Sequence, residues 1–139
     1  FRIAAADTKI GMPEIKVGVF SAGGGTHMLA RQVGIAKARE MVLLGDSIDA
    51  NEAGRLGLVN KVVPNADLNH EVAKLASRLH GLSGPALTAA KRALNCSLTD
   101  NFDRGQATEA SGMADLFRGR DVAEGVAAFH EKRRPSFNQ

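Results

Sequence analysis

Glu14 is the residue of this 139-residue sequence whose surroundings most favour acid–base chemistry. It follows Pro13 inside a run rich in apolar residues. A carboxyl group held among apolar groups is suited to proton transfer near neutral pH. A glutamate at the end of a strand, pointing into water, is the alternative that the composition leaves open. The apolar residues of the run are Ile10, Met12, Ile15 and Val17.

A glycine run at residues 23–25 follows about ten residues later. It lacks the lysine of a P-loop and the spacing of the dinucleotide fingerprint, so it predicts neither nucleotide site. Such a run can bring the backbone close to a ligand and begin a helix whose N-terminus favours negative charge. A tight strand-to-helix turn without a ligand is the alternative.

Phe129 and Lys132 are three residues apart in the last predicted helix, so we expect them to share a face. An aromatic surface beside an ammonium group could receive a stacked base and its phosphates. A core phenylalanine beside a lysine that extends to solvent is the alternative.

The histidines and the single cysteine form no recognisable site in the sequence. No two histidines are four residues apart, and Cys96 by itself excludes an internal disulfide. We therefore expect no metal site. The histidines are His27, His70, His80 and His130.

The elements that must position these residues change in character near Pro64. Before it, strands are predicted at residues 2–6, 15–20 and 58–63 and helices at 27–33 and 35–44, the second ending at Gly45. An Asp49–Glu52 capping box predicts a further short helix. After it, apolar residues recur at helical spacing in four segments, and Ser83 and an Asp121–Glu124 capping box are predicted to begin two of them. The sequence thus divides into residues 1–63, with strands and helices, and residues 64–139, which are helical.

Composition and charge exclude several classes of protein. Apolar residues make up 44% and charged residues 24%, which is typical of a folded globular chain. No apolar run approaches the roughly 20 residues of a membrane span. The net charge of +3 comes without tryptophan or tyrosine, so a nucleic-acid surface with stacking aromatics is not predicted.

In their order, these segments closely resemble the crotonase (enoyl-CoA hydratase/isomerase) superfamily. The resemblance covers essentially the whole chain. The segments that carry it are Pro13-Glu14, Gly24-Gly25-Thr26, Leu43-Leu44-Gly45, residues 50–59, Val62-Val63-Pro64, Ala90-Lys91, Glu124-Gly125 and residues 128–133.

The resemblance implies an α/β fold, with residues 1–63 as the last turns of a ββα spiral and residues 64–139 as a helical region that builds trimers or hexamers. It implies an acyl-CoA thioester substrate, with Glu14 as the second of two acid/base glutamates. Phe129 and Lys132 match positions that, in hydratases, reach the coenzyme A of a neighbouring subunit. Gly25 belongs to the Gly-rich turn beside the substrate, and Met12, Val17 and Ala22 match the acyl pocket.

The same resemblance places the first glutamate and the oxyanion-hole donors before Phe1, so an upstream half of the enzyme is an expected partner. Without it we expect this chain to be almost inactive, since one oxyanion donor alone is worth about 10²–10³ in rate. Residues 21–23 and 27–28 depart from the common family sequence, which leaves the acyl specificity open.

The predicted function is therefore hydration of a trans-2-enoyl-CoA. The alternatives are an enoyl-CoA isomerase or another lyase of this fold and, in a different class, a non-catalytic oligomerisation module. We expect no cofactor apart from the coenzyme A that the substrate carries, and neither nucleic acid nor membrane as a partner. The expected compartment is the cytoplasm, with the mitochondrial matrix as the alternative.

Overall fold

Short strands and helices alternate in the first part of the chain, and from residue 64 to residue 137 every regular element is a helix. The computed structural model describes residues 1–137. Contacts divide the chain into two units, residues 1–74 and the residues from Leu75 onward. The division falls inside a helix, about ten residues after the change in sequence character at Pro64.

The strands form two separate two-stranded sheets in the first unit. Strand β1 (Ile3–Ala5) pairs in parallel with β4 (Lys61–Val63), with Ile3 opposite Lys61. Strand β2 (Lys9–Gly11) pairs antiparallel with β3 (Ser47–Asp49). These sheets bring the start of the chain next to segments some 40 to 60 residues later.

The strand predicted at residues 58–63 is confirmed only for its last three residues. Its first residues instead complete the end of the preceding helix: the amides of Leu58 and Val59 both donate to the Ala53 carbonyl, at 2.8 and 3.2 Å. The amide of Asn60 donates to the carbonyl of Arg2 at 2.8 Å, which leads the chain into its pairing with β1.

The strand predicted at residues 15–20 is wrong. Pro13–Val17 forms a 3₁₀ turn, with proline in its first position. Gly18 ends the turn in the left-handed conformation, with φ +80°, and its amide donates to Ile15 O at 3.2 Å. The alternation of Ile15, Val17 and Val19 resembles a strand, but proline fixes the backbone for a turn and Gly18 reverses it.

Three helices complete the first unit: α1 (Gly25–Val33), α2 (Ile35–Leu44) and α3 (Ala50–Arg55). The predicted caps are confirmed. Gly45 ends α2 in the left-handed conformation, and the Asp49 carboxylate accepts a hydrogen bond from the Glu52 amide at 2.7 Å. The buried core that these elements share is rich in small side chains: Ala4, Leu29, Ala38, Met41, Ile48, Ala50, Ala53, Leu58 and Val59.

The helical part contains α4 (Leu68–His80), α5 (Gly84–Thr99), α6 (Phe102–Phe117) and α7 (Arg120–His130). Ser83 caps α5, as predicted, by accepting from the Ala86 amide at 3.2 Å. Helices α5 and α6 pack along each other. No helix within residues 1–137 has the length and hydrophobicity of a bilayer span.

The predicted Asp121–Glu124 capping box is wrong. Gly119 is the N-cap of α7, so Asp121 lies inside the first turn, where it cannot cap. Its carboxylate still complements the positive end of the helix dipole. Glu124 turns instead toward the C-terminal residues of the chain.

Replacing Met41 with alanine should destabilise the first unit by about 2–5 kcal/mol, because its side chain is 1% exposed and its removal leaves a cavity. Urea denaturation measures the change. Leu43→Ala is the control, since Leu43 lies on the same helix but is 63% exposed and should change stability by less than about 0.5 kcal/mol. Equal losses of stability in the two variants would contradict the placement of Met41 in the buried core.

Candidate active site

The carboxylate of Glu14 is half-buried and incompletely hydrogen-bonded. Its Oε2 atom is buried, yet it accepts no hydrogen bond from the described part of the chain. Buried carboxylate oxygens in proteins nearly always have a partner, so an exception calls for an explanation. This oxygen is available to accept a hydrogen bond from a water molecule or a substrate.

The 3₁₀ turn that carries Glu14 packs against the end of α2. A Cβ atom built on Gly45 would lie 2.9 Å from Ile15 Cγ2 and 3.0 Å from Lys16 Cε, so the two segments touch where Gly45 has no side chain. Lys16 also forms a salt bridge with Asp46, with 3.0 Å between Nζ and Oδ1. Glu14 is therefore held through its immediate neighbours in sequence.

The predicted pocket residues Met12 and Gly25 are close together. A Cβ atom on Gly25 would lie 3.4 Å from Met12 Cε and would also meet Ser21 Oγ. Helix α1 begins at Gly25, directly after the left-handed Gly24, with φ +91°. The predicted glycine turn thus brings the backbone against the residue that precedes the Glu14 turn.

Val17 and Ala22, also predicted for the acyl pocket, are exposed. Val17 is 79% exposed and belongs to an apolar surface beside Glu14. These side chains are open to solvent in the described part of the chain. The other exposed members of this surface are Ile15, Val19 and Phe20.

The expectation that Phe129 and Lys132 share a helical face is wrong. Phe129 lies in the last turn of α7 and is 81% exposed, whereas α7 ends at His130. Lys132 follows in the left-handed conformation, with φ +53°. The exposure of Phe129 argues against the alternative of a core phenylalanine within this chain.

Sequence reasoning missed a cluster that holds the residues after α7. The Arg133 guanidinium donates to both carboxylate oxygens of Glu124, at 2.6 and 2.9 Å, and the Ser136 amide donates to Glu124 Oε1 at 2.7 Å. We call Glu124, Arg133 and Ser136 the C-terminal clasp. Arg133 and the Ser136 amide lower the pKa of Glu124 to about 2. No periodicity in the sequence could reveal this contact between a helix and the segment after it.

A separate cavity of about 930 Å³ lies between α5, α6 and the start of α7. Asp121 lines it, and the buried Oδ2 atom of Asp121 accepts no hydrogen bond from residues 1–137. None of the site residues predicted from the sequence lines this cavity. No group of three metal-ligating side chains occurs in the same described residues.

Comparison with known proteins identifies the family. The family model described as enoyl-CoA hydratase/isomerase matches residues 1–139. The chain belongs to this family. The resemblance found in the sequence is thereby confirmed.

Relatives within the enoyl-CoA hydratase/isomerase family match nearly all of the chain. A crotonyl-CoA hydratase of Syntrophomonas wolfei is 40% identical over 137 residues, which are 99% of this chain and 53% of that protein. A probable mitochondrial enoyl-CoA hydratase of Dictyostelium discoideum is 38% identical over 136 residues, 98% of this chain and 49% of that protein. The chain therefore spans about half the length of the curated relatives it matches.

A solved structure confirms the crotonase-type fold. The enoyl-CoA hydratase from Bacillus anthracis aligns with a TM-score of 0.94 and 31% sequence identity, covering 99% of this chain and 53% of that one. The observed mixture of short strands and helices is thus the arrangement found in part of an enoyl-CoA hydratase.

Gly45→Ala should destabilise the chain more than Gly57→Ala and should displace the Glu14 turn. Both glycines have φ near +70°, so alanine carries the same backbone strain of about 1–2 kcal/mol at either position. Only at Gly45 does the new methyl group also meet Ile15 and Lys16, which should add about 1–3 kcal/mol. Urea denaturation gives the difference, and identical losses would show that the Gly45 contact is unimportant.

Acid should weaken the C-terminal clasp over a defined range. Because the pKa of Glu124 falls from 4.5 to about 2 on folding, the stabilisation is complete above pH 4.5 and is lost as the pH falls toward 2. The stability of the wild-type chain should therefore approach that of Glu124→Gln over this interval, as followed by urea denaturation at several pH values. A difference between the two that does not depend on pH would refute the assignment.

Proposed function

We propose that this protein acts in the hydration of a trans-2-enoyl-CoA, with Glu14 as an acid/base residue. The observation that carries the proposal is the half-buried Glu14 carboxylate, whose buried Oε2 has no partner among residues 1–137. It stands beside an apolar surface in a chain whose relatives include a crotonyl-CoA hydratase.

Hydration adds the oxygen of water to one carbon of the double bond and a proton to the other. A carboxylate with a free oxygen can accept a hydrogen bond from the attacking water, and in its protonated form it can deliver the proton. Burial limits competing solvent at that oxygen, and the contact of the Glu14 turn with Gly45 limits its movement. Both conditions favour proton transfer at a fixed position.

The apolar residues beside Glu14 suit an acyl chain. Met12 packs at Gly25 next to the turn, while Val17 and Ala22 are exposed and can be covered by a ligand or a partner. We assign coenzyme A to Phe129 and Lys132, since an exposed aromatic ring can stack on adenine and an ammonium can bind phosphate. No additional cofactor is needed, because the thioester itself activates the double bond.

Partners follow from the surfaces that the chain exposes. One proposed partner is the upstream half of the enzyme. The oxyanion donors that the family resemblance implies are not among these residues, and that half would supply them. The other proposed partners are further copies of this chain, which form a trimer or hexamer through the helical part. Exposed apolar residues there that could be buried by assembly are Leu94, Phe102, Met113, Phe117 and Val126.

These exposed helix residues favour a second candidate function, a non-catalytic oligomerisation module. Isomerisation of an enoyl-CoA is the alternative within the enzyme class, since proton transfer by one carboxylate serves it equally well. We place the protein in the cytoplasm, with the mitochondrial matrix as the alternative because one relative is mitochondrial.

Glu14→Gln should lower the rate of crotonyl-CoA hydration by about 10²–10⁴-fold, because the amide cannot exchange the proton. The assay follows loss of the enoyl absorbance, using purified protein whose polypeptides are identified by intact mass. Glu40→Gln is the matched control, since Glu40 is an exposed glutamate of the same unit that pairs with Lys37. It should leave the rate unchanged.

Full hydration by the Glu14→Gln variant would contradict the proposal. Conversion of a 3-enoyl-CoA without hydration of crotonyl-CoA would favour the isomerase. If the protein hydrates nothing and binds no CoA but elutes as an oligomer in size-exclusion chromatography, the module becomes the better assignment. Rapid hydration by this chain as the sole polypeptide would show that it needs no upstream half.

A further inference from the structure

Lys132 occupies a backbone conformation that lysine seldom adopts. It is the sole non-glycine residue with positive φ in residues 1–137, at φ +53°. Its amide donates to Phe129 O at 3.3 Å, and the next amide, of Arg133, donates to Ala128 O at 3.0 Å. These two bonds form a Schellman motif at the end of α7, in which the left-handed position is usually glycine.

The C-terminal clasp fixes the chain on the far side of Lys132. Arg133 is bound to both oxygens of Glu124, and its Nε also donates to Glu131 Oε2 at 2.5 Å. The Ser136 amide returns to Glu124 Oε1, and the Phe137 ring lies over Gly125 on α7. The segment after the helix is therefore folded back along α7, with Glu124 as its main acceptor.

The clasp and the Schellman motif together hold Lys132 between two fixed points. A non-glycine residue persists in the left-handed region only where its surroundings determine the conformation. The side chain of Lys132 takes no part in this support: its ammonium forms no salt bridge with an acidic side chain in the described part of the chain. The lysine is thus held by its backbone while its charge stays available.

We propose that Glu124 is a positioning residue, which acts through Arg133 and the Ser136 amide to hold Lys132 in the conformation that presents its ammonium to the phosphates of coenzyme A. This inference rests on the proposed function, which assigns coenzyme A to Lys132. Glycine at position 132 would adopt the same backbone without strain but would supply no charge. Glu124 is the group that makes a lysine tolerable there.

The test measures conformation and binding separately in the 139-residue chain. Amide hydrogen exchange at positions 132, 133 and 136 reports the clasp, and titration with coenzyme A, followed by NMR chemical shifts, reports affinity. The variants are Glu124→Gln, Lys132→Gly and the double variant. Asp115→Asn is the matched control, because Asp115 forms an exposed pair with Arg118 at 2.7 Å and lies outside the clasp.

We expect Glu124→Gln to accelerate exchange at these amides and to weaken coenzyme A binding by a similar factor. The factor is about five- to thirtyfold, because a left-handed residue that loses its support returns to the favoured conformations. Lys132→Gly should also weaken binding, and adding Glu124→Gln to it should cause no further loss. Exchange at the Asp100 amide, which donates to Cys96 O between α5 and α6, should not change and confirms that the variants are folded.

Faster exchange with unchanged affinity would overturn the proposal, since Glu124 would then be merely structural. Equal losses of affinity in the wild-type and Lys132→Gly backgrounds would overturn it as well, because Glu124 would act independently of Lys132. Unchanged exchange in Glu124→Gln would refute the clasp itself. If the wild-type chain binds no coenzyme A, the assignment of coenzyme A to Lys132 is wrong. The positioning role of Glu124 is then wrong as well.

Discussion

The position of Glu14 depends on one close approach, between Gly45 at the end of α2 and the side chains of Ile15 and Lys16. Gly45 meets two requirements that only glycine satisfies together, a φ of +68° and a neighbour 2.9 Å from where a Cβ would stand. Because the turn contains no fully buried residue of its own, this contact and the Lys16–Asp46 salt bridge replace core packing. Helix α2 is in turn fixed by Met41, whose side chain is in the buried core. Glu14 is thus tied to the core through a glycine rather than through buried residues of its own turn.

The apolar side chains that follow Glu14 in the sequence are exposed to solvent in this chain. Val17 and Phe20 are 79% and 67% exposed, although apolar side chains of this size normally gain about 1.5–3 kcal/mol from burial. Large exposed apolar side chains close in sequence to a carboxylate oxygen that has no partner among residues 1–137 are typical of a binding or interaction site.

Local signals in the sequence predicted most helices, and contacts distant in sequence decided the rest. Helix α2 and its end at Gly45, the Asp49 cap and the Ser83 cap were all predictable, because each depends on residues within one turn of the helix end. The segment from Ile15 to Phe20 was not, since its alternating apolar residues mimic a strand while Pro13 and Gly18 dictate a turn. The Asp121–Glu124 pair matches the pattern of a capping box, but Gly119 is the N-cap instead. Glu14 itself could be selected from its apolar surroundings, whereas the Gly45 contact and the clasp join residues that no local pattern connects.

Gly45 and Lys132 show two solutions to the same backbone problem. Each reverses the chain just after a helix, in the left-handed conformation. Gly45 contacts the turn that carries Glu14, and Lys132 is itself assigned to coenzyme A. At position 45 glycine removes the strain and also makes room for the Glu14 turn. At position 132 glycine would remove the strain equally well, yet a lysine stands there, supported by the Glu124–Arg133 pair and the Ser136 amide. A side chain kept at a strained position has a role that the backbone alone does not fulfil, and the chemistry that lysine adds there is its ammonium group, which forms no salt bridge with an acidic side chain among residues 1–137. The strain at Lys132 is therefore itself an argument that the residue binds an anion.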